Sequence, residues 1–164
     1  MSAVISPCGT YRYRLEREVG MVGPVYAFFG INPSEAGAVV NDATVRKWIG
    51  FTKVWGGRRF LVGNVSPYRA KDVRKLATAT QWLDIGRKNQ RHLMEICDEA
   101  DVLVPCWGNR GKVPKLMHQE IDALASLLFG MHKPVMHLGL TKSGDPKHPQ
   151  MLGYNTPLTE WSRP

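Results

Sequence analysis

Four short apolar runs, separated by segments with helical periodicity, most constrain what this chain can fold into. They are VYAFFGI, RFLVGNV, DVLVPCW and PVMHLGL, at residues 25–31, 59–65, 101–107 and 134–140. Short apolar runs of this kind are typical of strands that are buried on both faces. Strands that alternate with helices indicate a sheet between two helical layers. The pattern predicts a three-layer α/β fold, with a mostly parallel four-stranded central sheet and helices on both faces.

The segments around these runs predict helices, a further strand and one domain. Helical periodicity predicts four helices, the first capped by Asp42, at 43–55, 71–78, 86–99 and 113–129. Residues 11–18 (YRYRLERE) alternate apolar and charged side chains, which predicts a half-exposed strand. No linker or repeat divides the chain. We therefore expect a single domain over 1–164, with its core at about 10–152 and a loop-like tail at 153–164.

The charge of the chain points to a polyanionic partner. Lys and Arg total 22 against 14 Asp and Glu, which gives a net charge of +8. Nucleic acid is the first candidate, and a simple contribution to solubility is the alternative. No apolar stretch approaches the roughly 20 residues that span a bilayer, and the first residues lack the pattern of a signal peptide. We expect a cytoplasmic protein with no membrane association and no obligate protein partner.

The cysteines argue against a metal centre. Cys8, Cys97 and Cys106 are widely spaced and form no CxxC pair, so neither a zinc site nor a disulfide framework is indicated. With 43% hydrophobic and 22% charged residues, the chain has the composition of a globular protein that can form its own core. We expect no metal and no cofactor.

Each of the four apolar runs is followed by a polar turn. The turns are NPSE from Asn32, SPYRAK from Ser66, GNRGK from Gly108 and TKSGDPKHP from Thr141. The carboxyl ends of parallel strands meet at one edge of a sheet, where ligands bind in α/β folds. We therefore expect Asn32, Asn64 and His148 to share one pocket there. The alternative is that these turns are only good connectors.

The GNRGK turn at 108–112 invites comparison with a phosphate-binding P-loop. A P-loop requires a glycine five residues before its final Gly-Lys pair and a serine or threonine after that pair. Cys106 and Val113 occupy those positions, so the chain is not a P-loop NTPase. The turn precedes a predicted helix, whose free N–H groups could still hold one phosphate.

Several motifs together resemble a known family. They are YRYRL (11–15), GINPS (30–34), DxTVRK (42–47), GFxKxWG (50–56), NVxxYRA (64–70), WGN (107–109) and LGLTKSGDPKHP (138–149). In this order they resemble the bacterial and phage domain-of-unknown-function family numbered 1643, over about residues 10–152. This resemblance implies a common fold and leaves the activity open.

The order of the motifs is also similar, more distantly, to that of the uracil-DNA glycosylase superfamily. That resemblance implies a glycosylase-like fold and two catalytic residues: Asn32, which positions water, and His148, which stabilises the departing base. It also implies that Asn64 reads the base edge. The implied function acts on a nucleobase or nucleotide in DNA, by hydrolysis of the N-glycosidic bond or by base modification. The alternatives are a non-catalytic nucleic-acid-binding module with the same fold and an enzyme that acts on free nucleotides.

The chemistry of the residues is compatible with such a site. An asparagine amide offers a donor and an acceptor together, which suits the reading of a base. The other candidates for substrate binding are Phe29, Tyr68, Ser34 and Asn109, the two aromatic rings by stacking. The candidates for holding phosphates are Arg69, Arg110, Lys142 and Lys147. Glu35 and Asp42 are near enough in sequence to act as a base. Alternatively, Asn32 only caps its own turn.

Overall fold

The strands form a mixed sheet of five members rather than the predicted mostly parallel sheet of four. The structure, a computed structural model, describes residues 1–34, 37, 39–70 and 82–162. The strands are β1 (Ser2–Ile5), β2 (Arg12–Glu18), β3 (Val25–Gly30), β4 (Arg59–Asn64) and β5 (Val102–Pro105), in the order β1-β2-β4-β3-β5. β3 pairs in parallel with β4 and β5, whereas β1 with β2 and β2 with β4 are antiparallel.

The three described helices agree with the predictions to within one residue, except at the beginnings of α2 and α3. α1 spans Ala43–Val54, and Asp42 caps it by accepting a hydrogen bond from the Val45 N–H at 2.8 Å. α2 spans Trp82–Glu99, and α3 spans His118–Gly130. α3 begins later than predicted because two 3₁₀ turns, Arg110–Lys112 and Lys115–Met117, precede it, and extended Val113 ends the first of them. The helix predicted at 71–78 lies outside the described residues.

Side chains of alternate residues in the central strand β3 enter two separate cores. Val25, Ala27 and Phe29 pack with residues of α2 and α3. Tyr26 and Phe28 pack on the other face with residues of α1. Because successive side chains of a strand point to opposite faces, this arrangement confirms the predicted helices on both faces of the sheet.

The fourth apolar run contributes only a short strand. Val135 makes a single parallel bridge to Leu103 of β5, and β6 (Met136–His137) then pairs with β7 (Thr159–Glu160), which lies in the predicted loop-like tail. Gly139 has a φ of +97°, a conformation that ends the extended strand. The residues from Gly139 to His148 therefore form a loop.

Within the part of the chain that the structure describes, no helix combines the length and apolar character needed to cross a membrane.

Candidate functional site

All four predicted polar turns contribute to one open cleft of about 670 Å³ at the carboxyl ends of β3, β4 and β5. Asn32, Asn64 and His148 all line this cleft, as do Ser34 and Asn109. The cleft is also lined by residues that were not among the predicted binding residues: Arg12, Trp48, Trp107, Lys112 and Thr141. The cleft is thus built by the strand ends that the apolar pattern predicted.

Asn32 presents a hydrogen-bond acceptor to the cleft. Its side-chain Nδ2 donates to the carbonyl oxygens of Ala70 at 2.7 Å and Pro33 at 3.2 Å. Because both partners can only accept, the amide nitrogen must face them. Oδ1 accepts no hydrogen bond from a described residue and remains available to a water or a ligand.

Asn64 presents a hydrogen-bond donor to the cleft. It is 3% exposed at the end of β4, and its Oδ1 accepts a long hydrogen bond of 3.5 Å from Arg12 Nη2. Its Nδ2 packs closely against Gly30: a Cβ at residue 30 would lie only 2.9 Å from this nitrogen. Among the described residues, none accepts a hydrogen bond from this Nδ2, which is left as a donor for the cleft.

Arg12 and Asp42 place opposite charges in the cleft wall. Arg12 is 2% exposed, and burial lowers its pKa to about 10, an effect that the Asp42 carboxylate partly offsets. Asp42 Oδ1 accepts from the Val45 N–H, and Oδ2 accepts from the Ser34 hydroxyl. Each carboxylate oxygen can accept more than one hydrogen bond. Asp42 therefore keeps the capacity to bind a water or a ligand donor.

His148 is held as a neutral hydrogen-bond donor. Its Nδ1 accepts from the Gln150 N–H at 3.3 Å and caps the 3₁₀ turn Pro149–Met151, so a neutral ring carries its proton on Nε2. The ring is exposed within the open cleft. The protein around it nevertheless desolvates it and lowers its pKa, although Asp42 acts in the opposite direction. The lowered pKa favours the uncharged ring, whose Nε2–H is then its donor.

Arg110 fixes the two loops that meet beside the cleft. Its Nε donates to Asp145 at 2.7 Å and its Nη1 to Asp122 at 2.9 Å. Burial alone would raise the pKa of Asp145, but hydrogen bonds from Arg110 and Ser143 lower it overall. The Gly108 N–H also donates to Pro146 O at 2.8 Å. Arg110 therefore serves the loop structure, and a phosphate could use this guanidinium only by competing with two carboxylates.

The aromatic wall of the cleft differs from the predicted one. Phe29 is fully buried in the core against α2 and α3, so the stacking role predicted for it is corrected. Tyr68 packs edge-to-face on Tyr11, at a centroid distance of 6.0 Å, outside the cleft lining. Trp48 and Trp107, each 4% exposed, line the cleft instead. The sequence signals for these two residues are the inward face of the predicted helix 43–55 for Trp48 and the end of the apolar run 101–107 for Trp107.

The cations are divided between the cleft and its surroundings. Lys147 lines the cleft, together with Lys112, which was not predicted. Lys142 is exposed outside the lining. Arg69 Nη1 donates to the Gly9 carbonyl at 3.0 Å, on the side of the β1–β2 connection. Two lysines are therefore placed to meet a negatively charged ligand in the cleft.

In the described part of the chain, no group of three or more His, Cys, Asp or Glu side chains is placed to hold a metal ion together. The polar groups that line the cleft are amides, an imidazole, a carboxylate and cations. These groups suit recognition of a polar heterocycle and its attached phosphates.

Comparison with known proteins gives a family match. A family model described as a protein of unknown function (DUF1643) matches residues 12–150. The matched range includes every residue that lines the cleft except Met151 and Leu152. Searches of curated proteins and of solved structures found no match.

Proposed function

The chain belongs to the DUF1643 family, and we propose that its cleft binds a nucleobase in DNA and hydrolyses the N-glycosidic bond. The observation that carries this proposal is the opposite orientation of two amides. Asn64 offers a donor and Asn32 an acceptor to the same cleft. The edges of nucleobases carry donors and acceptors side by side, which is the pattern that such a pair complements.

The cleft also offers apolar surface and positive charge to a nucleotide. Trp48 and Trp107 contribute to its wall, and aromatic side chains stabilise an unstacked base. Lys112 and Lys147 line the same cleft and can neutralise phosphates. The order of the GINPS, NV and KHP motifs, which is similar to that in uracil-DNA glycosylases, supports the same substrate class.

The proposed reaction separates charge between the sugar and the base. When the bond between C1′ and the base nitrogen breaks, the electron pair leaves with the base and positive charge develops on the sugar. His148 Nε2–H donates to an oxygen of the departing base, and one such contact supplies roughly 3–4 kcal/mol. Because the imidazole is neutral, it forms this hydrogen bond without protonating the base.

Water completes the reaction from the side of Asn32 and Asp42. Asn32 Oδ1 accepts a hydrogen bond from the water and orients it towards C1′. The Asp42 carboxylate stabilises the positive sugar and accepts the proton that the water loses as its oxygen bonds to C1′. That proton passes finally to the released base. Each step uses a group with remaining hydrogen-bonding capacity.

The decisive experiment measures base release by the wild type and by Asn32→Ala. Oligonucleotides that carry uracil, modified pyrimidines or deaminated purines are incubated with protein, and the abasic sites are then cleaved and counted. We expect turnover to fall about 10²-fold or more in Asn32→Ala, with DNA affinity nearly unchanged, because an amide that orients water acts mainly in the transition state. Asn155→Ala, an exposed asparagine outside the cleft lining, is the matched control.

A non-catalytic nucleic-acid-binding module is the second candidate. It is favoured by the two hydrogen bonds from Asn32 Nδ2 to Pro33 and Ala70, which also give this side chain a structural role in its loop. Intact DNA binding by a wild type that releases no base from the panel would support this candidate. Binding of free nucleotides without DNA binding would instead support an enzyme of nucleotide metabolism.

A further inference from the structure

The segment that follows His148 packs against α1 through contacts of Lys47 and Tyr154. Lys47 Nζ donates to the Leu152 carbonyl at 2.7 Å and lies 4.7 Å from the ring centroid of Tyr154. The Tyr154 ring packs edge-to-face on Phe51 at a centroid distance of 5.2 Å. One lysine therefore binds both the backbone and the ring of this segment, residues 152–154, which we call the latch.

Gly50 makes the close approach of the latch possible. A Cβ at this position would lie 2.3 Å from Tyr154 Cε1 and 2.6 Å from its hydroxyl oxygen. The ring thus rests directly against the backbone of α1. Glycine in the interior of a helix is unfavourable, and here the close packing of Tyr154 accounts for it.

The latch lies only a few residues beyond His148. Between them is the 3₁₀ turn Pro149–Met151, closed by a hydrogen bond from the Leu152 N–H to Pro149 O at 3.0 Å. On its other side the loop is fixed by the Lys147 N–H, which donates to Gly139 O at 2.9 Å. The imidazole is therefore held between an anchor near the sheet and an anchor on α1.

We propose that Lys47 and Tyr154 are positioning residues that hold His148 in the cleft. The inference rests on the proposed function, in which His148 acts on the departing base. Asp42 also caps α1, and the same helix places Trp48 in the cleft wall. Through the latch, one helix sets the relative positions of the carboxylate, the aromatic wall and the imidazole.

The test compares Tyr154→Leu, which removes the ring, with Tyr154→Phe, which keeps it. Val54→Ala, at an exposed position of α1, controls for effects on the helix. The ring signals of His148, assigned by their loss in His148→Gln, are followed by NMR over a pH titration. The charged groups that share the cleft with the imidazole, Arg12, Asp42, Lys112 and Lys147, are unchanged in all these variants.

We expect Tyr154→Leu to shift the His148 signals and to raise the imidazole pKa towards its ordinary value, because the loop leaves its desolvated position. Tyr154→Phe and Val54→Ala should match the wild type. In the base-release assay, kcat should fall about 10²-fold in Tyr154→Leu, because a small displacement of a reacting group has an effect of this size, with KM changed far less.

Two outcomes separate this inference from the proposed function. His148 signals in Tyr154→Leu that coincide with those of the wild type would overturn the latch, whether or not the protein releases bases. Shifted signals in a protein without base release would leave the latch intact and contradict the proposed reaction. If Tyr154→Leu does not fold, Lys47→Met is tested in its place. Methionine keeps most of the apolar part of the lysine side chain but cannot donate the hydrogen bond to Leu152. Unchanged His148 signals in Lys47→Met would overturn the inference.

Discussion

Asn32 and Asn64 have the same side chain, yet their neighbours leave opposite groups available to a ligand. Two carbonyl oxygens hold the amide nitrogen of Asn32, whereas a guanidinium binds the amide oxygen of Asn64. A donor and an acceptor at defined places recognise a ligand better than two freely rotating amides, since less conformational entropy is lost on binding.

Changing Asn64 to aspartate should weaken recognition of the base. Asn64→Asp replaces the Nδ2 donor with an acceptor that repels the carbonyl oxygen of a base. We expect binding of a base-containing oligonucleotide to weaken by about 1–3 kcal/mol, with a much smaller change for the same oligonucleotide with an abasic analogue. Fluorescence titration measures both affinities. Asn155→Asp, at an exposed position outside the cleft lining, makes the same charge change. Equal losses with both oligonucleotides would show that charge repulsion, not base reading, causes the effect.

The sequence could predict the positions of the polar residues that follow strands but not the partners of their side chains. Asn32 and Asn64 share the cleft because the parallel strands β3 and β4 bring their carboxyl ends together, and the loop after β6 adds His148. Phe29 points away from it because its place in the alternation of β3 turns it towards α2 and α3. Arg110 is bound by Asp145, 35 residues later in the chain, and no local pattern indicates such a long-range pair.

At the scale of elements, α1 could be predicted from its cap and periodicity, whereas the pairing of β6 could not. Asp42 and the inward face of Val45, Trp48 and Phe51 are local signals of a helix. The run 134–140 has the composition of a buried strand, yet its pairing depends on β7, in the tail. Strand pairing with a distant segment is a tertiary effect that composition does not contain.

Two substitutions of Asp42 separate its cap from its charge. Asparagine caps a helix about as well as aspartate, whereas alanine does not. We therefore expect the free energy of unfolding to be about 1 kcal/mol lower in Asp42→Ala than in Asp42→Asn, as measured by urea denaturation. Both variants should lose base release, because both lack the carboxylate. Full activity in Asp42→Asn would contradict the proposed role of the charge and leave only the cap.

For the whole molecule, we expect stability to decrease as the solution becomes acidic. Burial lowers the pKa values of His137 and His148 below the ordinary 6.5. The unfolded chain therefore binds more protons than the folded chain below that pH, so the free energy of unfolding falls as the pH drops through 6.5. Asp145, whose pKa is also lowered, adds a loss at lower pH, when its carboxylate is protonated. Urea denaturation at several pH values measures this, and the slope near pH 6 should be smaller in His148→Gln.

The net charge of +8 leads to the last prediction, on binding to DNA. Each lysine that neutralises a phosphate releases a counterion, so affinity should fall steeply with salt, and loss of one contact should reduce the slope of log K against log salt by about 1. We expect this reduction for Lys147→Ala, in the cleft. Lys53→Ala removes the same charge in the last turn of α1, at the end of the helix away from Asp42, and should leave the slope unchanged. Because the two variants have the same net charge, a difference between them assigns the contact to the cleft. If the slope of log K against log salt is the same in both variants and in the wild type, Lys147 makes no phosphate contact, and the net positive charge acts only as a general property of the surface.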